Sequence, residues 1–241
     1  MKKESKNKLW IISIFAIAMG FLEAAVVIYL RNLFYTNGFD FPLKGFLNPT
    51  VLGVEWVREF ATIVMLITIA MLASKKIYER FAYFLYAFAI WDIFYYVFLK
   101  LTLNWPSSWF TWDLLFLIPW PWIGPVIAPM LWNVVFITLT VLIINFEDSG
   151  RKIKVKTIGG TLFVLGVLIT LYTWLCDYGK LIIGGGYAKN FFTLSNNEQF
   201  MQIIESYSPS YYNWPLFILG MMISVIAMLL FYVRTKKYNK Q

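Results

Sequence analysis

The sequence predicts an all-α integral membrane protein, in which one domain over residues 1–241 forms a bundle of six transmembrane helices. Apolar residues make up 60% of the chain and charged residues 14%, whereas soluble domains average about 45–50% and about 25%. Six apolar runs each approach the roughly 20 helical residues that cross a bilayer core of about 30 Å. Lysine and arginine gather at the ends of these runs, where they set the orientation of a membrane protein.

The six crossings are predicted from the apolar runs and from the charges that bound them. Their limits are Leu9 to Leu30, Trp56 to Ser74, Phe81 to Leu101, Leu114 to Phe146, Thr157 to Cys176, and Trp214 to Val233. The first run also fits a signal peptide, because the basic stretch MKKESKNK precedes it. A crossing is favoured over a signal peptide, since the apolar run resumes after Glu23 and reaches a full span.

The basic residues predict how the bundle is oriented. Because cytoplasmic loops carry an excess of lysine and arginine, both termini are predicted to be cytoplasmic. The predicted location is the bacterial cytoplasmic (inner) membrane, where a multi-pass protein has membrane lipids as partners. This arrangement explains the net charge of +8, so no nucleic-acid partner is predicted. With six crossings, fifteen of the 21 basic residues fall on one side: Lys2, Lys3, Lys6, Lys8, Lys75, Lys76, Arg80, Arg151, Lys152, Lys154, Lys156, Arg234, Lys236, Lys237 and Lys240.

The third connection on the outer side, residues 177–213, is predicted to contain a short helix at the membrane interface. Ser195 and Glu198 have the spacing of a capping box, which marks the start of a helix. The helix from Asn196 to Tyr207 would carry Phe200, Ile203, Ile204 and Tyr207 on one face.

The fourth apolar run is predicted to be a broken crossing. Its 33 residues would extend about 50 Å as a straight helix, and its four prolines each remove a backbone donor. We expect a half-helix from Asp113 to Ile118, an irregular segment through Pro129, and a helix from Met130 to Phe146. The prolines indicate either a kinked helix that packs on its neighbours or the wall of a ligand site. They are Pro119, Pro121, Pro125 and Pro129.

The amino-acid composition restricts the chemistry of any site, because histidine is absent and Cys176 is the single cysteine. Zinc sites built from His or Cys, haem attachment, and nucleophile pairs that use histidine all lack their residues. Any acid or base must therefore be Asp, Glu, Lys or Tyr. No cofactor is predicted, and no metal site either, because no acidic loop has the spacing of a cation site.

Ionisable side chains inside the apolar runs indicate a polar site. Such charges cost about 2.5–3.5 kcal/mol each on insertion, and under the predicted orientation they lie in the outer half of the membrane. The predicted catalytic acids and bases are Glu23, Glu59, Asp92 and Asp113. Arg31, Arg58 and Lys100 could bind an anionic group such as a phosphate or carboxylate. Tyr96, Trp112 and Trp120 would form walls of this ligand-binding site.

The same charges also fit a structural ion-pair network that involves no ligand. Glu23 would pair with Arg31, Arg58 or Lys100, and Asp92 would pair with Lys100. Because the positive and negative charges nearly balance, the sequence leaves this alternative open.

Three stretches of the chain resemble an uncharacterised family of small bacterial polytopic membrane proteins. These stretches are GFLEAAVVIYLR, RFAYFLYAFAIWDIFYYVFLK and NWPSSWFTWDLLFLIPWPWIGPVIAP, so that the resemblance extends as far as Pro129. It implies a membrane location and no particular activity. The motifs of aspartyl intramembrane proteases do not occur, since Asp92 and Asp113 each follow a tryptophan. The paired aspartate motifs of membrane prenyltransferases are also missing.

The sequence leaves three functions open. The first is an intramembrane enzyme that acts on a lipid-soluble or phosphate-bearing substrate, with Asp and Glu as acid and base. The second is a small-molecule or ion-coupled transporter whose cargo meets the broken fourth crossing. The third is a non-catalytic membrane assembly subunit. The small size and the lack of a visible inverted repeat favour the first or the third.

Overall fold

The computed structural model describes residues 1–35, 38–42, 48–153, 155–189, 194 and 197–238 of the chain. Within them, six helices are long and apolar enough to cross a membrane, which confirms the prediction of a multi-pass membrane protein. The crossings are α1 (Lys3–Phe34), α2 (Pro49–Ala73), α3 (Ile77–Leu103), α4 (Ile127–Asp148), α5 (Thr157–Gly179) and α7 (Trp214–Tyr238). The remaining elements are β1 (Trp112–Phe116), β2 (Trp122–Pro125), a π-helical turn (Lys180–Gly184) and the short helix α6 (Glu198–Ser206).

Helices α1, α2 and α3 each begin before the apolar run that predicts them, and α2 does so because its capping residue lies in the polar flank. Helix α2 begins at Pro49 rather than at Trp56. The side chain of Asn48 caps it by accepting hydrogen bonds from two backbone amides of the first turn, at 3.0 and 3.2 Å. Helix α3 ends where Asn104 adopts a left-handed conformation with a φ of 52°. The longer α2 places Glu55 within a helix instead of in a loop.

Helix α3 is the centre of the first part of the bundle, where it packs against α1, α2 and α4. The contact with α1 is close because Gly20 lies against the backbone of α3. A Cβ atom at this position would lie 2.8 Å from the carbonyl oxygen of Trp91. The absence of a side chain at Gly20 therefore brings Glu23, one turn later, close to Asp92 on α3.

Helices α5 and α7 form a second part of the bundle and pack chiefly against each other. Gly166 on α5 and Gly220 on α7 face one another at the contact. A Cβ atom at Gly166 would lie 2.5 Å from the carbonyl oxygen of Gly220, and the reverse distance is 2.8 Å. Small residues allow membrane helices to approach this closely, so these two crossings form a tight pair.

One end of the bundle, which we call the basic end, gathers the start of α1, the last turns of α7 and two connections. Asp148 at the end of α4 accepts hydrogen bonds from the backbone amide of Lys2 and from the hydroxyl of Ser5, at 2.6 and 2.7 Å. Lys76, between α2 and α3, donates to Glu147 at 2.7 Å. The last turns of α7 reach the same end, since Phe146 contacts the ring of Tyr232. The basic clusters of the described residues are thus collected at one end.

The segment between α3 and α4 forms a β-hairpin, so the predicted half-helix from Asp113 to Ile118 is wrong. Strands β1 and β2 pair antiparallel, with Asp113 opposite Gly124 and Trp112 opposite Pro125. Prolines exclude a helix here and drive the preceding residues into extended backbone, and strand pairing then satisfies the backbone groups. Asp113 and Ile123 of the hairpin are each only 1% exposed, whereas the other residues of β1 are half-buried. The bundle is helical elsewhere, as predicted, and this hairpin is its only β-structure among the described residues.

Helix α4 is continuous from Ile127–Asp148, so the interruption lies before this helix and not within it. The predicted start of this part at Met130 is three residues late. Pro129 lies in the first turn of α4, where the backbone amides form no hydrogen bond within the helix, so the missing N–H of proline costs none. The fourth crossing consequently needs no break to fit the bilayer.

Helix α6 lies in the connection between α5 and α7, where a short helix is predicted, but it is shorter than the predicted range. It is capped by Asn197, whose side chain accepts a hydrogen bond from the amide of Phe200 at 2.9 Å. The predicted cap Ser195 lies outside the described residues. Phe200 and Ile204 are buried, whereas Ile203 is exposed. The apolar face of α6 is thus narrower than the sequence pattern indicates.

Candidate functional site

A cavity of about 130 Å³ lies where α1, α2, α3 and β1 meet, at the end of the bundle opposite the basic end. All four predicted catalytic carboxylates line it, together with Arg31 and Arg58. The charged residues around the cavity are Glu23, Arg31, Glu55, Arg58, Glu59, Asp92 and Asp113. The structure therefore brings together charged side chains that the sequence separates by as many as 90 positions.

The rim of the cavity between α1 and α2 is apolar. These two helices both pack on α3 more closely than on each other. Val27 and Leu30 line this side on α1, and Val51 and Leu52 line it on α2. A charged cavity with apolar side chains of two membrane helices along one side suits a molecule that has a polar head and an apolar tail.

Arg58 on α2 is surrounded by three carboxylates. It forms a charge-assisted hydrogen bond with Glu23 of α1 through Nη1. Its Nε and Nη2 atoms lie 2.8 and 2.7 Å from Oε2 of Glu55, and Nη2 lies 3.9 Å from Oε1 of Glu59. All three guanidinium nitrogens are thus engaged by the protein. Arg58 joins α1 to α2 and has little capacity left for a ligand.

Glu59 connects this cluster to the hairpin. Its Oε2 atom accepts a hydrogen bond at 2.8 Å from the backbone amide of Leu117, which follows β1. Both groups are buried, so the bond satisfies a backbone donor that strand pairing leaves free. The carboxylate of Glu59 therefore holds the hairpin against α2.

Arg31 at the end of α1 has far fewer polar contacts than Arg58. Its Nη2 atom lies 3.4 Å from Oδ1 of Asp113, which is a long hydrogen bond. Its guanidinium carbon lies 3.7 Å from the ring centroid of Trp105 and 4.4 Å from that of Phe39. The side chain is only 7% exposed, and Nη1 has no hydrogen-bond partner among the described residues. A buried guanidinium nitrogen without a partner is costly, and an anionic ligand would satisfy it.

Asp113 is held between Arg31 and Tyr96. The hydroxyl of Tyr96 donates to Oδ2 of Asp113 at 2.9 Å, so each carboxylate oxygen faces a different donor. Asp113 lies on β1, outside the membrane-spanning helices. Burial raises the pKa of Asp113 to about 6, although Arg31 and Tyr96 act in the opposite direction. This carboxyl group therefore titrates close to neutral pH.

Asp92 near the middle of α3 has no basic partner among the described residues. Its Oδ2 atom accepts a hydrogen bond at 2.6 Å from the amide nitrogen of Asn133 on α4. The predicted pair with Lys100 is wrong, because Lys100 is exposed and donates to the carbonyl oxygens of Asn104 and Pro106 at 3.3 and 3.0 Å. Near the end of a helix, free carbonyl groups attract a lysine more readily than a buried carboxylate one or two turns away.

Two tryptophans predicted as walls of the site lie elsewhere. Trp112 packs against the ring of Tyr212, and Trp120 donates its indole N–H to the carbonyl oxygen of Leu175 at 3.0 Å. Both contacts link the hairpin to the α5–α7 side of the molecule. Alternate residues of a strand point in opposite directions, so Asp113 faces the cavity while Trp112 faces away from it.

Several residues of the site were not predicted. Glu55 precedes the second apolar run in the sequence, and its place in the site depends on the cap at Asn48 that starts α2 earlier. Asn133 carries no charge, and a polar residue inside an apolar run was the only available signal for it. Phe39 and Trp105 lie in loops that are far apart in the sequence, and no pattern pairs them with Arg31.

Acidic groups outnumber basic groups in the cavity. Five carboxyl groups face two guanidinium groups, and Lys100 does not restore the balance. Within the described residues, no group of three or more carboxylates or thiols is arranged to hold a metal ion. An ion-pair network accounts for the residues around Arg58, but it leaves Asp92 without a basic partner.

No family model matches the chain, and no curated protein or solved structure matches it.

Proposed function

We propose that the chain is an enzyme of the bacterial cytoplasmic membrane that acts on a lipid-soluble substrate carrying a phosphate or carboxylate group. Both termini lie in the cytoplasm in this proposal, and the cavity lies in the outer half of the membrane. The observation that carries it concerns Arg31, a residue that lines the cavity and whose buried Nη1 atom has no hydrogen-bond partner among the described residues. A structural ion pair would have engaged this atom.

The size and the rim of the cavity support a substrate with a polar head and an apolar tail. Ligand pockets usually measure about 300–1,000 Å³. The cavity of about 130 Å³ is smaller than this and accommodates only a compact polar group. The tail would pass between Val27 and Leu30 of α1 and Val51 and Leu52 of α2 into the lipid.

The cavity residues divide into two roles in this proposal. Arg31 binds the anionic head group, since a guanidinium donates two parallel hydrogen bonds to a phosphate or carboxylate. Asp92 acts as the general acid or base, because it lines the cavity and no basic residue is bonded to it among the described residues. Tyr96 and Asp113 position Arg31, while Glu23, Glu55 and Glu59 fix Arg58 and the hairpin.

A transporter has less support from the same contacts. Alternating access would need a polar route from the cavity to the basic end. A hydrophobic cluster in that half of the bundle includes Ile12, Leu66, Leu85, Leu139 and Ile144, and the buried hydroxyl of Thr140 there donates to the carbonyl oxygen of Ala82.

The proposal is tested by incubating the purified chain in liposomes made from total bacterial lipid and analysing the lipids by mass spectrometry. The wild-type chain should convert at least one anionic lipid, and Asp92→Asn should not, although its oxygen can still accept the hydrogen bond from Asn133. Glu79→Gln is the matched control, because Glu79 pairs with Lys76 outside the cavity. Equal conversion by Asp92→Asn, or no conversion by the wild-type chain, would contradict an enzymatic role for this cavity.

A further inference from the structure

A crevice at the basic end separates the two parts of the bundle. Helices α3 and α4 form one wall, and α5 and α7 form the other. The volume of the crevice is about 400 Å³, within the usual range of ligand pockets. It lies at the opposite end from the cavity of the proposed enzyme, so it is a separate site.

The walls of the crevice are almost entirely apolar. The wall of α3 and α4 contains Tyr78, Phe81, Leu139 and Ile143. The wall of α5 and α7 contains Phe163, Val164, Met228 and Phe231. Water does not fill a cavity of this kind, because it would find no polar partners. The crevice therefore suits an apolar chain.

Two basic side chains lie at the mouth of the crevice. Lys156 immediately precedes α5, and Arg234 lies in the last turns of α7. Arg234 reaches across to the first turn of α5, since its Nη1 atom lies 3.7 Å from the place of a Cβ atom at Gly159. Neither side chain forms an ion pair within the described part of the chain. The start of α5 has no side-chain cap, so its free amides add positive potential.

We propose that this crevice binds an anionic phospholipid, with one acyl chain between the two walls and the phosphate at Lys156 and Arg234. Basic pockets between membrane helices on the cytoplasmic side are places where anionic head groups bind. A second copy of the chain is a poorer occupant, because it would bring its own basic end against these two positive charges. A bound lipid would fill the gap between the α3–α4 wall and the α5–α7 pair.

The head-group contact is tested with phosphatidylglycerol and phosphatidylcholine of the same acyl chains, titrated onto the full chain in mild detergent. Lys156→Gln/Arg234→Gln should bind phosphatidylglycerol about thirtyfold more weakly than the wild type (about 2 kcal/mol). Lys236→Gln/Lys237→Gln removes the same charge from the neighbouring end of α7 and should leave the affinity unchanged. Equal affinity of the wild-type chain for the two lipids, or equal loss in both variants, would overturn the proposal.

The acyl-chain contact is tested by filling the crevice. Gly160 lines it, and a Cβ atom there would meet only Val155, at 3.5 Å, so Gly160→Leu places a side chain in the crevice without a backbone clash. Native mass spectrometry should show one retained phospholipid on the wild-type chain and none on Gly160→Leu. Gly53→Leu, on α2 and outside the crevice, is the control and should retain the lipid. Retention by Gly160→Leu, or a dimer in place of the lipid adduct, would overturn the proposal.

Discussion

Arg58 and Arg31 line the same cavity, yet the protein surrounds them in opposite ways. Arg58 is engaged by three carboxylates on α1 and α2, so every nitrogen of its guanidinium has a partner. Arg31 has one long hydrogen bond to Asp113, two aromatic rings against its guanidinium, and one nitrogen with no partner among the described residues. Arg31 is the more buried of the two, so the difference in their contacts comes from the number of acceptors that the protein places around each.

The comparison teaches that buried charge in this protein has two uses. Every guanidinium nitrogen of Arg58 has a carboxylate partner, and these contacts form a fixed junction between α1, α2 and the hairpin. The Nη1 atom of Arg31 lacks a hydrogen-bond acceptor among the described residues, which is expected where a ligand provides that acceptor. The following predictions separate these uses, and they are ordered by the expected loss of folding stability.

The largest loss is expected for Arg58→Leu. This change leaves the buried carboxylates of Glu23, Glu55 and Glu59 without a basic partner, and breaking a buried pair in this way costs about 3–5 kcal/mol. We expect a chain that fails to accumulate or that unfolds at much lower denaturant concentration, as measured by unfolding in mixed micelles. Adding Glu23→Gln should recover part of the stability. A fully stable Arg58→Leu chain would show that this cluster is not a structural junction.

The next largest effect is a pH dependence that belongs to Asp113. Its pKa is about 6 in the folded protein because of burial, and about 4 in an unfolded chain. The folded state therefore binds this proton more tightly, and stability is gained as the pH falls from above 6 toward 4. The gain is up to roughly 3 kcal/mol.

Asp113→Asn cannot titrate and should lack this part of the pH dependence. Comparing thermal unfolding of the two chains in detergent at about pH 5 and about pH 7 measures it. Because protonation also removes the only carboxylate bonded to Arg31 among the described residues, binding of an anionic probe should strengthen over the same range. Identical pH profiles for the two chains would contradict a buried, titrating Asp113.

A smaller loss of stability is expected for Arg31→Gln, together with a complete loss of ligand binding. Removing a guanidinium that has a single long hydrogen bond should cost about 1–2 kcal/mol, since Tyr96 still donates to Asp113. Dodecyl phosphate is a suitable probe, and using the Lys156→Gln/Arg234→Gln background excludes the crevice. If Arg31→Gln is as unstable as Arg58→Leu and still binds the probe, the roles of the two arginines are reversed.

The smallest effect is expected for Lys100→Gln. This side chain is exposed and contacts carbonyl groups at the end of α3, and surface substitutions of this kind usually stay within about 0.5 kcal/mol. Probe binding should equal that of the wild type in the same titration. A loss of binding comparable to that of Arg31→Gln would place Lys100 in the cavity.

The crossings could be predicted because the bilayer fixes the length and composition of a spanning helix. The same physics predicted that the proline segment is not a lipid-facing helix, but it did not predict a hairpin. Pro119, Pro121 and Pro125 exclude helix without specifying what replaces it. Pairing of β1 with β2 also depends on Glu59, which accepts the amide of Leu117 from a helix 58 residues away.

The convergence of charges could also be predicted, because isolated charges within the membrane are costly and tend to share one enclosed place. The pairing of those charges could not. Asp92 and Lys100 lie on one face of α3 by helical periodicity, yet the lysine turns to the carbonyl groups at the helix end and Asp92 bonds to Asn133. Periodicity gives the face of a helix, whereas partners depend on which other helix packs there.

The close contact between α5 and α7 has a consequence for how the chain is made. Gly166 and Gly220 bring two backbones together through packing that depends little on the other crossings. Because α5 and α7 follow the other four crossings in the chain, they leave the ribosome after them and can associate in the bilayer as a pair. To complete the fold, this pair would then only have to join the four helices that are already inserted. Lipid can fill the space between the two parts until they come together.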